Sequence, residues 1–305
     1  MLDVSYKASQ TRLTTDIFTT SSIMNTSLAI IIIGLYAIAT YCIFRDSRVA
    51  KKNIGVSERN QPSKTNASWL VGLFNMPTAI VGVSLHFWLA AQTSYVQHSF
   101  NFSVASMTLW ISALVVFIYL VGTCIHPIKS LGLVTLPVAI FNIAFAVIWG
   151  DNITLIQHQT PVFFWHIGLS IAGFTVLALS VLQSLMFALQ EFGLKQKRFQ
   201  MVGNLLPPIQ TMERVLFELI WLGFVLLSIA IILGGVYNYQ TQGSLFSFNH
   251  HNLLALLSWF IFMVLLYGRN IKGWRGIQTV KWTVGAFVLL NLGYFGSKLV
   301  SEVLA

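Results

Sequence analysis

Eight apolar stretches, none with more than one charged side chain, dictate what this chain can fold into. They run over about 26–44, 69–91, 104–125, 131–149, 162–189, 215–237, 252–268 and 282–300. Each can cross a hydrocarbon core of roughly 30 Å as a helix, the seventh only if its ends sit among the headgroups. In lipid the backbone has no water to bond to, so these stretches must be helical. Charged residues make up 9% of the 305 residues, against about 25% in soluble domains. The expected fold is all-α: a polytopic membrane bundle of eight helices, forming a single domain over 26–305. Residues 1–25 read as a polar, disordered tail without the apolar core of a signal peptide. Met24 directly precedes the first apolar run and competes with Met1 as the true start.

The basic residues orient the bundle. Fifteen of the 18 lysines and arginines fall in the segments 45–68, 126–130, 190–214 and 269–281. The positive-inside rule puts these loops in the cytoplasm and both termini on the outer, periplasmic side of a bacterial inner membrane. The net charge of +9 is therefore topological, and nucleic acid drops out as a partner. The lipid bilayer is the expected contact of the basic loops. Pro77 and Pro137 fall inside two helices and should kink or thin them, while Pro207-Pro208 makes a rigid lead into the sixth.

Two cysteines, Cys42 and Cys124, sit in or beside apolar runs with no CxxC, CxxCH or zinc spacing. That argues against a thiol oxidoreductase, a covalent c-type cytochrome and a zinc site. No nucleophile–base–acid set, phosphate-binding loop or dinucleotide fingerprint is present, so no catalytic residue is assigned. Glu218 is the one carboxylate clearly inside an apolar run; its spacing predicts an i,i+4 pair with Arg214.

The histidines carry the functional signal. His98, His158, His250 and His251 fall in outer loops, and His126 on the inner side. His86 and His166 lie inside helices, each roughly 7–9 Å below the outer boundary at about 1.5 Å per residue. Ionisable residues within a membrane are functional candidates by default, and imidazole suits haem iron. His166 and His86 are candidate iron ligands; His250 or His251 is a further one. Adjacent helical residues point about 100° apart, so at most one of that last pair should face a shared site. Ordinary hydrogen bonding across helices is the competing reading for each. Trp88, Trp110, Trp149, Trp165 and Trp259 gather toward outer helix ends, as an interfacial belt or as a porphyrin platform. Trp165 and Trp259 are the platform candidates.

Several stretches resemble the membrane cytochrome c assembly family, which includes the CcsA-type haem-handling subunit and smaller HemX/YpjD-like relatives. They are PVFFWHIGLSIAGFTVLALSVLQSLMFALQE (161–191), LPPIQTMERVLFELIWLGFVLLSIAIILGG (206–235), LLALLSWFIFMVLLYGR (253–269), GWRG (273–276) and NLGYFGSKLV (291–300). LPPIQTMER and YFGSK are the most specific, and the likeness is greatest to the HemX/YpjD-like branch. In the CcsA-type branch the histidine opening the HIGLS-like helix is an external haem ligand, and it falls on His166. A membrane histidine of that branch falls on Tyr267. Its tryptophan-rich outer segment is replaced here by Asn249-His250-His251-Asn252, and a second external histidine after the YFG helix is expected to be missing.

The resemblance implies an integral inner-membrane protein that binds or handles haem b at its outer side, supporting cytochrome c biogenesis or tetrapyrrole metabolism. Partners would be cytochrome c maturation or haem-synthesis proteins. With the CcsA-type equipment incomplete, no enzymatic activity is assigned. Two other classes compete. One is a HemX-like regulator or scaffold acting through the 190–214 loop, with its Lys195, Lys197 and Arg198. The other is a small-molecule permease, which would call for broken half-helices and internal repeats that are not evident.

Overall fold

The computed structural model describes residues 24–46, 66–96, 99–149, 155–156, 160–196, 206–245 and 249–296. Of the expected tail 1–25, residues 1–23 lie outside them, as do His98, His158, Lys197 and Arg198, whereas Met24 and Asn25 already belong to the first helix. The eight apolar stretches become eight helices: α1 (Met24–Asp46), α2 (Asn66–Ser94), α3 (Val104–Ile125), α4 (Gly132–Trp149), α5 (Pro161–Gln196), α6 (Ile209–Gln242), α7 (His250–Lys272) and α8 (Ile277–Asn291). Six of them are long and apolar enough to cross a membrane by length and composition alone. The other two are α2, which carries Pro77 within its 29 residues, and α8, whose 15 residues are continued by the π-helical turn Leu292–Gly296. This is a multi-span helical membrane protein, and its outer surface is apolar where lipid covers it: Ile125, Phe141 and Ile148 all stand exposed.

Helix ends follow the residues. Ser103 caps α3 by accepting from the Ser106 backbone N–H, satisfying one of the donors a helix start leaves free. Pro208 precedes the first turn of α6 as the rigid lead its sequence suggests. Pro77 and Pro137 are carried within α2 and α4. The GWRG turn between α7 and α8 needs its glycines: Gly273 has φ 66° and Gly276 φ 67°, a region closed to most side chains.

The most extensive packing is α5 on α6, followed by α3 on α4 and α7 on α8, with α5 also touching α3 and α8. One continuous core runs through all eight helices. Glycines set the closest approaches: a side chain at Gly223 would strike Leu177 of α5, and one at Gly82 would strike Tyr36 of α1. At one end, three short strands not foreseen in the sequence, β1 (Tyr95–Val96), β2 (Ser99–Asn101) and β3 (Leu155–Ile156), form an antiparallel sheet in the order β1-β2-β3. Tyr95 pairs with Phe100, and Phe100 with Ile156, so the sheet ties the α2–α3 connection to the α4–α5 connection.

The two ends differ in charge. All described lysines, arginines, aspartates and glutamates lie at the end opposite the sheet: Arg45, Asp46, Lys129, Glu191, Lys195, Glu213, Arg214, Glu218, Arg269, Lys272, Arg275 and Lys281. Among the described residues, the sheet end has none.

Candidate functional site

His166 lies in the second turn of α5, at the sheet end. Its Nδ1 is 2.8 Å from the backbone oxygen of Ala230 on α6. A carbonyl can only accept, so Nδ1 carries the hydrogen and donates; the unprotonated lone pair is then on Nε2. The ring fits because Gly234, one turn further along α6, has no side chain. A Cβ there would stand 2.8 Å from the imidazole Cε1.

His251, in the first turn of α7, repeats this arrangement with a different neighbour. Its Nδ1 is 2.7 Å from the Gly293 oxygen, so Nδ1–H again donates and Nε2 keeps its lone pair. Gly293 belongs to the π-helical turn Leu292–Gly296, which coincides with the LGYFG part of the most C-terminal distinctive stretch. π-turns are rare and often mark functional sites. Gly293 also lets the backbones close up, since a Cβ would lie 3.1 Å from that of Leu254. The Tyr294 ring lies 6.2 Å from the His251 ring between centroids.

His166 and His251 both lie at the sheet end, near the starts of α5 and α7. Both are half-buried, whereas His250 is exposed at the start of α7. The 100° offset between neighbours on a helix thus turns one of the pair toward α8 and the other outward.

His86 has different company. It is fully buried, with Nδ1 3.2 Å from the Tyr36 hydroxyl of α1 and Nε2 3.2 Å from the Ser112 hydroxyl of α3. Both ring nitrogens are occupied, and the residue knots three helices together. Depth matched it with His166, but helix rotation points it into a separate polar cluster. As arranged, it offers no free nitrogen to a metal.

The aromatic candidates also divide. Trp165 is 69% exposed beside His166. Trp259 is committed to α6: its Nε1–H donates to the Ser228 hydroxyl at 2.7 Å, and its ring stacks on Phe224. A second aromatic group was not singled out by sequence. Phe102, Met107 and Phe163 form a small buried cluster at the sheet end, with Tyr237 and Tyr294 packed against it. Phe163 and Tyr237 join α5 to α6 at 5.1 Å between ring centroids.

A cavity of about 610 Å³ opens at the opposite, charged end, far from these imidazoles, lined by Glu213, Arg214, Glu218, Arg269 and Arg275 among others. Size alone would favour it as a site for a large ligand. The donor chemistry favours the histidines, with Phe164 and Trp165 exposed beside His166.

Sequence reasoning could not find the Ala230 and Gly293 carbonyls, because backbone acceptors leave no mark in residue type. The Gly234-Gly235 pair and the NLGYFG stretch were the available signals. Glu218 pairs with Arg214 at 2.9 Å as its spacing predicts, and also with His126 at 2.9 Å.

Comparison with known proteins adds the family. A sequence profile described as "Cytochrome C assembly protein" matches residues 100–305. The chain is 31% identical over 183 residues to the inner membrane protein YpjD of Escherichia coli (strain K12), covering 58% of this chain and 68% of that protein. It is 26% identical over 207 residues to the cytochrome c biogenesis protein CcsA of Mesostigma viride, covering 57% and 66%. It is 33% identical over 93 residues to the CcsA protein of Nostoc punctiforme, covering 30% of this chain and 26% of that one.

Proposed function

The chain belongs to the cytochrome c assembly protein family, and from that premise we propose that it binds haem b at the sheet end of the bundle. His166 and His251 would hold its iron through their Nε2 atoms. By the positive-inside rule this is the outer side of the inner membrane, with both termini outside.

One observation carries the reading. Two imidazoles from different helices each donate Nδ1–H to a backbone carbonyl, Ala230 and Gly293, at 2.8 and 2.7 Å. Metal-binding histidines are characteristically held this way: the second-shell bond fixes the tautomer and ring orientation and leaves Nε2 as the donor. The absence of charged side chains among the described residues of that end supports an apolar macrocycle, and Trp165, Phe164 and Tyr237 provide aromatic faces. Bound haem would supply an iron centre for electron uptake or onward delivery of the cofactor; the protein's part is to hold it, orient it and keep it dry on one face.

Within the cytochrome c biogenesis setting that its relatives' names describe, a haem-binding membrane protein of this kind would act beside maturation or haem-synthesis partners. His86 takes no part beyond holding α1, α2 and α3 together.

The test is pyridine-haemochrome quantification on the detergent-purified full chain, expressed with excess haem. The reading expects one b-type haem per chain in the wild type, and a large loss in both His166→Ala and His251→Ala. A haem-free wild type would overturn it. Haem retained equally by both variants would place the cofactor elsewhere.

A further inference from the structure

The charged end holds a feature that haem binding does not use. The cavity of about 610 Å³ lies between the first three turns of α6 and the turn joining α7 to α8. Arg214 and Arg275 stand at it with side chains 76% and 71% exposed. Phe217 and Trp221 form its apolar wall. Gln210, Arg214, Phe217 and Trp221 recur at three- and four-residue intervals, so they share one face of α6. From Arg214 to Trp221 is seven residues, about 10 Å along the helix axis. A cationic rim therefore gives way to an aromatic wall over the depth at which headgroups give way to acyl chains.

The carboxylates in this cavity are already engaged. Glu213 accepts from Arg269 at 2.9 Å, and Glu218 is shared by Arg214 and His126, each at 2.9 Å. Arg269 is also bound: it donates to the Trp274 carbonyl, and its guanidinium lies 4.4 Å from the Phe217 ring centre. The other two arginines are not so committed. Arg214 bonds Glu218 through Nε, and Arg275 reaches Glu213 only at 3.9 Å, beyond hydrogen-bond length. A guanidinium has five N–H donors in a planar fork suited to phosphate, so both retain capacity for an anion. Three guanidiniums against two carboxylates leave a surplus of one positive charge, which matches the single negative charge of a phosphodiester.

We propose that this cavity seats one phospholipid of the adjacent leaflet. Its phosphodiester rests on Arg214 and Arg275, and its upper acyl carbons lie along Phe217 and Trp221. The bound lipid bridges α6 to the α7–α8 turn. Nothing in this depends on the occupancy of the histidine end.

Native mass spectrometry of the detergent-purified full chain tests it with three probes: phosphatidylglycerol, diacylglycerol with the same chains, and inorganic phosphate. One phosphatidylglycerol per chain should persist on the wild type, while diacylglycerol should not. Arg275→Gln should lower lipid occupancy by about tenfold and Arg214→Gln/Arg275→Gln by more, as expected for loss of charge-assisted bonds. Because Arg275 is exposed and makes no hydrogen bond among the described residues, the single variant keeps the wild-type fold, which its thermal melt checks. Equal retention by wild type and both variants would overturn the proposal. So would displacement of the lipid by an equal concentration of inorganic phosphate, which would mark a seat for a soluble anion instead.

Discussion

The two ends of this bundle solve the problem of polar groups in a membrane in opposite ways. At the charged end, ions are paired: Glu213 with Arg269, Glu218 with Arg214, Glu191 with Lys195. Each partner is a side chain, and each pair joins or braces helices. At the sheet end no described residue carries a formal charge. There the polar side chains His166 and His251 bond to backbone carbonyls through one nitrogen, and the other has no partner among the described residues. Paired groups are spent on structure. A half-satisfied imidazole, held in place but with its second nitrogen unused, is available for chemistry.

The comparison breaks first at His166. His166→Ala should weaken haem binding by more than about 100-fold, since disrupting even the outer-shell partners of a metal ligand costs about 10–100-fold; haem titration by absorption reads this, while the melting of the haem-free protein stays near wild type. Arg269→Ala should do the reverse. It strands Glu213, which is only 18% exposed, and should cost about 2–3 kcal/mol of stability in an unfolding titration with haem affinity unchanged. Gly234→Ala sharpens the contrast: its methyl crowds the His166 ring and should weaken haem binding about tenfold, comparable to a second-shell lesion. Lys195→Ala removes an exposed i,i+4 pair and should change stability by no more than about 0.5 kcal/mol, with no effect on haem.

Much of the fold was legible because lipid is a strict solvent. Apolar runs of bilayer length with at most one charge have one viable conformation in lipid, and α1 to α8 fall where those runs fall. Charge placement likewise foretold two unlike ends. The sheet was not legible: strands of two or three residues such as Tyr95–Val96 are too short to show an alternating pattern. The candidate site was legible in residue type but not in rotation. Position along the chain gave His86 and His166 the same depth, yet a 3.6-residue period leaves open which way each faces until the neighbours are known. Packing turns His86 between Tyr36 and Ser112 and turns His166 against α6. The same limit left His250 and His251 undivided, and the Gly293 carbonyl separates them.

Electron paramagnetic resonance of the haem-loaded ferric protein tests the central claim most directly. Two imidazole ligands predict a low-spin signal in the wild type and in His86→Asn, which keeps a donor and an acceptor between Tyr36 and Ser112. In His251→Ala the signal should become high-spin, and added free imidazole should restore the low-spin form by filling the vacated position. A low-spin signal that survives in His251→Ala but is lost in His86→Asn would contradict the account, since it would move the second ligand from the sheet end of α7 to the buried knot on α2.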